Sequence, residues 1–249
     1  MPPDFATPLS ITTTARVSRA PDGKPQDGWV SRHLNRPISR LVTRLLLRFP
    51  ITPNAWTLSI TPLPIVGAYL IAQGDYAASI LATLLYQLYS ILDGCDGEIA
   101  RAKHLESAFG QRLDRWCDIG GSILLVVAAG MGASKGVGGY FIEGLIGAAL
   151  IFSNELWLAR REGLPAPVAA DSIEEITYTR HRHLVSDSGL LFFGEGFARF
   201  LLQLTKRDVG ILIFVLLALL HQVPWIVHLL TGTAAITLAL SVRALSKTR

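Results

Sequence analysis

The stretch Asp93-Gly94-Cys95-Asp96-Gly97-Glu98-Ile99-Ala100-Arg101, followed after eight residues by Gly110-Gln111-Arg112-Leu113-Asp114-Arg115-Trp116-Cys117-Asp118, decides how the rest of the chain is read. It joins two long apolar runs, one ending near 101 and the next beginning near 110. A carboxylate at the edge of hydrocarbon costs free energy unless something partners it. Asp93 and Asp96 are three residues apart, and Asp114 and Asp118 four, so each pair shares a helix face. The connection Ala102 to Phe109 is short enough to make the two helices antiparallel neighbours. Two carboxylate pairs then face one another. Hard oxygen ligands so arranged suit Mg2+ or Mn2+, and four carboxylates suffice for two ions.

Working outward, half the residues are hydrophobic and mean hydropathy is +0.40, well above a soluble domain. Six apolar runs read as helices able to cross a bilayer: 54–72, 75–101, 110–133, 138–159, 209–222 and 224–243. The fifth is the weakest, since Val209 to Val223 rises only about 22 Å as a helix. It must borrow length from Lys206-Arg207 or lie in a thinned region. With six spans both ends share a side. Placing them on the cytoplasmic side leaves only Lys135, of 23 Lys and Arg, outside. The net charge of +4 is thus a topological signal, and nothing suggests nucleic-acid binding. The fold class expected is all-α: an integral membrane bundle of six helices led by a cytoplasmic interfacial helix.

That leading helix is expected within Asp27 to Phe49. Arg32, Arg36, Arg40, Arg44 and Arg48 form a slowly drifting stripe suited to lipid phosphates, and Leu34, Ile38, Val42, Leu45 and Phe49 make the apolar face. Pro37 fits a helix beginning near Asn35. Residues 1–26, polar and without an apolar core, read as a disordered cytoplasmic tail rather than a signal, leaving 27–249 as the membrane domain. Thr52 and Pro53 can cap and start the first span, a reading that competes with ligand contact. The insertion 160–208 is mixed in charge, with an amphipathic piece from Phe192 to Leu204. Its histidines lack zinc-site spacing. Cys95 and Cys117 read as reduced packing residues.

A lone aspartate at a span end is ordinarily just solvated. Four at this spacing, with accompanying glycines and an arginine, point to a site. Gly94 and Gly97 lower helix propensity but let a ligand approach the backbone, and Arg101 can place a guanidinium on a phosphate. Together these residues describe a metal-bound pyrophosphate at the membrane face. A divalent-cation transporter is a rival, but would want acidic residues near the midplane of several spans. Glu143 and Glu155 fall toward the ends of theirs. No internal repeat supports a transporter. A pyrophosphate-binding membrane prenyltransferase, the other rival, would be expected to show two separated Asp-rich motifs, and this chain has one.

The run from Asp93 to Asp118 resembles the signature of the CDP-alcohol phosphotransferase family at every fixed position, and the six-span layout extends the resemblance over about 28–245. The resemblance implies transfer of a substituted phosphate from a CDP-alcohol to the hydroxyl of a small or phosphorylated alcohol, releasing CMP, in phospholipid or inositol-phosphodiester synthesis. It implies that Asp93, Asp96, Asp114 and Asp118 hold two Mg2+ or Mn2+ ions, with Asp118 also the general base. Thr52, Pro53, Asn54, Gly94, Gly97, Ala100, Arg101 and Gly110 would form the nucleotide site. It further implies a homodimer in a bacterial or archaeal cytoplasmic membrane. For an anionic acceptor the candidates are Arg112, Arg115, Arg160, Arg161 and Arg207, which otherwise set topology or anchor lipid phosphates. Asp27-Gly28-Trp29-Val30-Ser31-Arg32, Thr52-Pro53-Asn54 and Thr205-Lys206-Arg207-Asp208 are similar to the di-myo-inositol-phosphate-phosphate synthase branch, which uses CDP-inositol. A CDP-diacylglycerol enzyme, its lipid tail entering from the bilayer, is an equal alternative.

Overall fold

A computed structural model describes residues 29–135, 138–159 and 207–246, all helix and short turns. The expected 1–26 tail, Arg160, Arg161 and the insertion as far as 206 lie outside the described residues. Helix α1, Arg36–Leu46, follows a wide turn at Ser31–Asn35 and a helical start at Trp29. The helix thus begins earlier than Pro37 suggested. Proline has no N–H to donate and crowds the preceding turn; here the turn widens, and the Arg36 N–H reaches back to the Ser31 carbonyl.

The first long apolar run is α2, Pro53–Ile60, and α3, Pro62–Ala72, broken at Thr61 where Pro62 interrupts the ladder. Thr52 caps α2 by accepting the Ala55 N–H at 3.3 Å. Next come α4, Tyr76–Lys103, and α5, Ala108–Ala133. Both are capped, by Asp75 accepting from Ala78 N at 3.2 Å and by Ser107 accepting from Gly110 N at 3.0 Å. Helices α6, Tyr140–Ala159, α7, Arg207–Leu219, and α8, Val223–Ser246, complete the described bundle.

Among the described residues three segments are long and apolar enough to cross a bilayer: Pro53–Ala72, Tyr76–Lys103 and Ala108–Ala133. Val223–Ala239 is a shorter apolar stretch. Large apolar side chains such as Leu58, Ile65, Val66, Leu84, Leu124, Ile142 and Ile146 lie exposed on the helices, the pattern expected where the solvent is lipid. Inside, Ile71, Tyr86, Val126, Ala129, Phe214, Ile226 and Val227 form one core joining α3, α4, α5, α7 and α8.

Helix α1 meets the bundle largely through its polar side. Leu34, Ile38, Leu41 and Leu45 are exposed, while Asn35, Ser39 and Thr43 are buried against the bundle with Leu46. Arg36 leaves the expected lipid-facing stripe. Its guanidinium is turned inward to Glu98 at 3.2 Å, with both side chains largely buried.

Candidate active site

Helices α4 and α5 run antiparallel, as expected, since residues earlier in one meet residues later in the other. Tyr86 donates to the Gly121 carbonyl at 3.0 Å, and Tyr89 to Asp118 Oδ1 at 3.1 Å. Their direct backbone approach is slight. Helix α3 packs on both, so long side chains do the bridging. In the gap, Asp93, Asp114 and Asp118 each bring one carboxylate oxygen within 4.8 Å of the others.

Two of these groups have a buried oxygen, Asp93 Oδ1 and Asp114 Oδ1, that meets no hydrogen-bond donor among the described residues. Orphaned carboxylate oxygens are costly to bury. Like charges this close raise the cost further. A hard divalent cation relieves both, and an all-oxygen donor set is the kind Mg2+ or Mn2+ takes. Asp118 is already engaged: Tyr89 holds Oδ1 and the Arg207 guanidinium donates to Oδ2. The Arg207 guanidinium also lies 5.8 Å from the centre of the Tyr89 ring.

The fourth expected carboxylate, Asp96, is not one of this closest trio. Asp96 accepts from Thr57 Oγ1 at 2.8 Å and from the Gly97 N–H, so α2 holds it beside the group rather than in it. Three of the four aspartates are therefore brought together.

The other expected site residues are divided. Asn54 and Gly110 meet: a Cβ on Gly110 would lie 2.8 Å from Asn54 Oδ1, so the glycine admits the side chain of α2. That places Thr52, Pro53 and Asn54 beside the start of α5. Gly94 admits something else. A Cβ there would lie 3.0 Å from Arg36 Nη1, so on that side its bareness serves α1. The Ala100 and Arg101 carbonyls close α4 by accepting from Leu105 N at 2.9 Å and His104 N at 3.4 Å. Arg112 and Arg115 lie exposed near the start of α5, whereas Arg207 reaches the acidic group. Cys95 is buried and Cys117 accepts from Thr61 Oγ1; both are unpaired thiols, as expected.

Three residues escaped the sequence reading: Tyr89, Thr57 and Glu98. Tyr89 is one helical turn before Asp93 and so shares its face, a signal present in the spacing. Nothing local marks Thr57. Glu98 sits inside the motif, and its role emerges only when α1 is docked.

The fold and this acidic centre can now be compared with known proteins. A family model described as CDP-alcohol phosphatidyltransferase matches residues 50–242. The chain belongs to the CDP-alcohol phosphatidyltransferase family. Among curated relatives, the bifunctional IPC transferase and DIPP synthase of Rubrobacter xylanophilus is 37% identical over 172 residues, 66% of this chain and 37% of the relative. Proteins of the same name from Thermococcus kodakarensis and Archaeoglobus fulgidus are 44% and 42% identical over 104 residues, 23% and 20% of their own lengths. The chain spans no more than 37% of these three curated relatives. The match to the CDP-alcohol phosphatidyltransferase family covers α2 through α8 apart from the last residues, and so includes every aspartate of the centre.

Proposed function

We propose that this protein catalyses transfer of a substituted phosphate from a CDP-alcohol to the hydroxyl of a second alcohol, releasing CMP. The observation that carries the reading is the Asp93, Asp114 and Asp118 group, two of whose buried oxygens meet no donor among the described residues. These three would hold Mg2+ or Mn2+, and Asp96 one turn away would complete a set sufficient for two ions. When bound, the ions supply positive charge that stabilises the pyrophosphate and the departing CMP.

The residues of the chain do the rest. Asp118 takes the proton from the acceptor hydroxyl as that oxygen bonds to the phosphorus carrying the donor's alcohol. The bond from this phosphorus to the oxygen shared with the cytidylyl phosphate breaks, and CMP leaves with both electrons. Tyr89 orients the base through Oδ1. Arg207 occupies Oδ2, and an anionic group on the acceptor would draw the guanidinium to itself and release that oxygen. Asn54 and Gly110, with Gly94, Gly97, Ala100 and Arg101, form the nucleotide side.

For the substrates, the relatives' DIPP synthase name and the similar segments at Trp29, Thr52 and Arg207 support CDP-inositol with inositol phosphate. One observation favours CDP-diacylglycerol instead. A cavity of about 420 Å3 touches Arg207 and Tyr89 and is lined mainly by apolar side chains, among them Leu125, Ile151, Phe214 and Leu230. Such a lining suits hydrocarbon better than a polyol. In either case the chain is read as having six spans with its active site on the cytoplasmic side, supported by the distribution of Lys and Arg, and as a homodimer on the family resemblance alone.

The test is CMP release by purified protein in detergent with Mg2+ or Mn2+. CDP-diacylglycerol and CDP-inositol are offered separately, each with and without inositol phosphate, glycerol phosphate and serine. Acceptor-dependent CMP from one donor assigns the branch. Release from neither, with the protein folded and metal present, overturns the reading.

A further inference from the structure

We infer that Asp208 is a positioning residue: it ties α7 to the wide turn that leads into α1 and so holds Arg207 against Asp118. The inference rests on the transfer reading for its kinetic consequence, though not for its geometry. Asp208 is buried although ionisable, and its Oδ2 accepts the Ser31 backbone N–H at 2.5 Å. Its chain neighbour Arg207 opens α7 and donates to Asp118 Oδ2. Successive residues of a helix point about 100° apart. A carboxylate fastened on one side therefore sets the rotation of the turn that carries the guanidinium.

The tie is only as firm as α1, and α1 is itself fixed by directional bonds. A helix resting on a bundle through shape alone would bury its apolar stripe. Here most of that stripe faces outward and the inner face is largely polar, with Leu46 and Val42 packing on Cys95 and Ile99 at its end. Asn35 donates to Ser90 Oγ at 3.3 Å and accepts from Gln87 Nε2 at 2.9 Å. Ser39 and Thr43 donate to the two oxygens of Glu98 at 2.8 and 2.7 Å. Arg36 adds a pair to Glu98 and a bond to the Gly94 carbonyl at 3.4 Å. A slip of α1 by one residue would break all of them. Fixed contacts thus run from α4 through α1 to Asp208 and Arg207, and end on Asp118 of α5.

The experiment compares Asp208→Ala and Asp208→Asn with the full chain in detergent. Asparagine can still accept the Ser31 N–H through its carbonyl oxygen; alanine cannot. Two quantities are read: the separate KM values for acceptor and donor, and the hydrogen-exchange rate of the peptide containing Ser31. Asp208→Ala is expected to raise the KM for an anionic acceptor roughly tenfold, leave the donor KM unchanged and speed exchange at Ser31. Asp208→Asn is expected to restore both. An unchanged acceptor KM in the alanine variant overturns the inference. So does an equal rise for donor and acceptor, or an asparagine variant as impaired as alanine. If the unaltered protein releases no acceptor-dependent CMP, the transfer reading fails on its own. Exchange at Ser31 then decides the tie: acceleration in alanine alone upholds it, and no acceleration overturns it.

Discussion

Asp118 meets three demands at one carboxylate. It faces Asp93 and Asp114, accepts from Tyr89, and is met by Arg207. Replacing it tests the assignment most directly. Asp118→Asn keeps the shape but not the basicity, so CMP release should be lost while CDP-alcohol binding, followed by calorimetry, persists. Near-normal turnover in that variant would mean that the assigned base is wrong. Tyr89→Phe removes one hydrogen bond to a charged group, and kcat should fall roughly tenfold. Donor KM should hold, because the ring and its packing remain; a donor KM that rose alongside would place Tyr89 on the nucleotide side instead. At this scale the aspartates were legible from spacing alone. The bond that Asp96 accepts from Thr57 was not, since that hydroxyl lies 39 residues away in sequence.

Between elements, the informative contact is α1 on α4. Glu98 gathers Arg36, Ser39 and Thr43 in a largely buried site. Removing one member of a buried ion pair costs about 3–5 kcal/mol, because the other charge is left without a partner. Glu98→Ala should therefore lower the Tm in detergent markedly, and Arg36→Ala should do likewise. If both variants melted with the unaltered protein, α1 would not be fastened as described. Gly110→Ala belongs to the same scale. Its new methyl would press on Asn54 Oδ1, and the expected result is a raised donor KM with little change at the acceptor. The helices themselves were readable from apolar runs and their caps, including Thr52. The facing of α1 was not, because a pattern carrying both an apolar and a polar-plus-arginine face does not say which one the bundle takes.

For the molecule as a whole, the three-aspartate group should link metal to stability. A ligand that binds only the folded state stabilises it by mass action. Adding Mn2+ to metal-stripped protein should raise its Tm, and chelation should lower it and abolish CMP release. In an Asp93→Asn, Asp114→Asn variant Tm should no longer respond; a full response would move the metal elsewhere. By itself the sequence determined the all-helical class, the apolar segments, the antiparallel directions of α4 and α5 and the carboxylates between them, though not that α3 would pack on both helices. Those properties are local: helical period, run length, cap chemistry and a short connection each act within a few residues. Only the tertiary structure decided that Asp96 turns to Thr57, that α1 buries its polar face on Glu98, and that Asp208 binds the start of a helix 177 residues earlier. Those choices depend on groups far apart in the chain, whose hydrogen bonds exist only once the helices have packed.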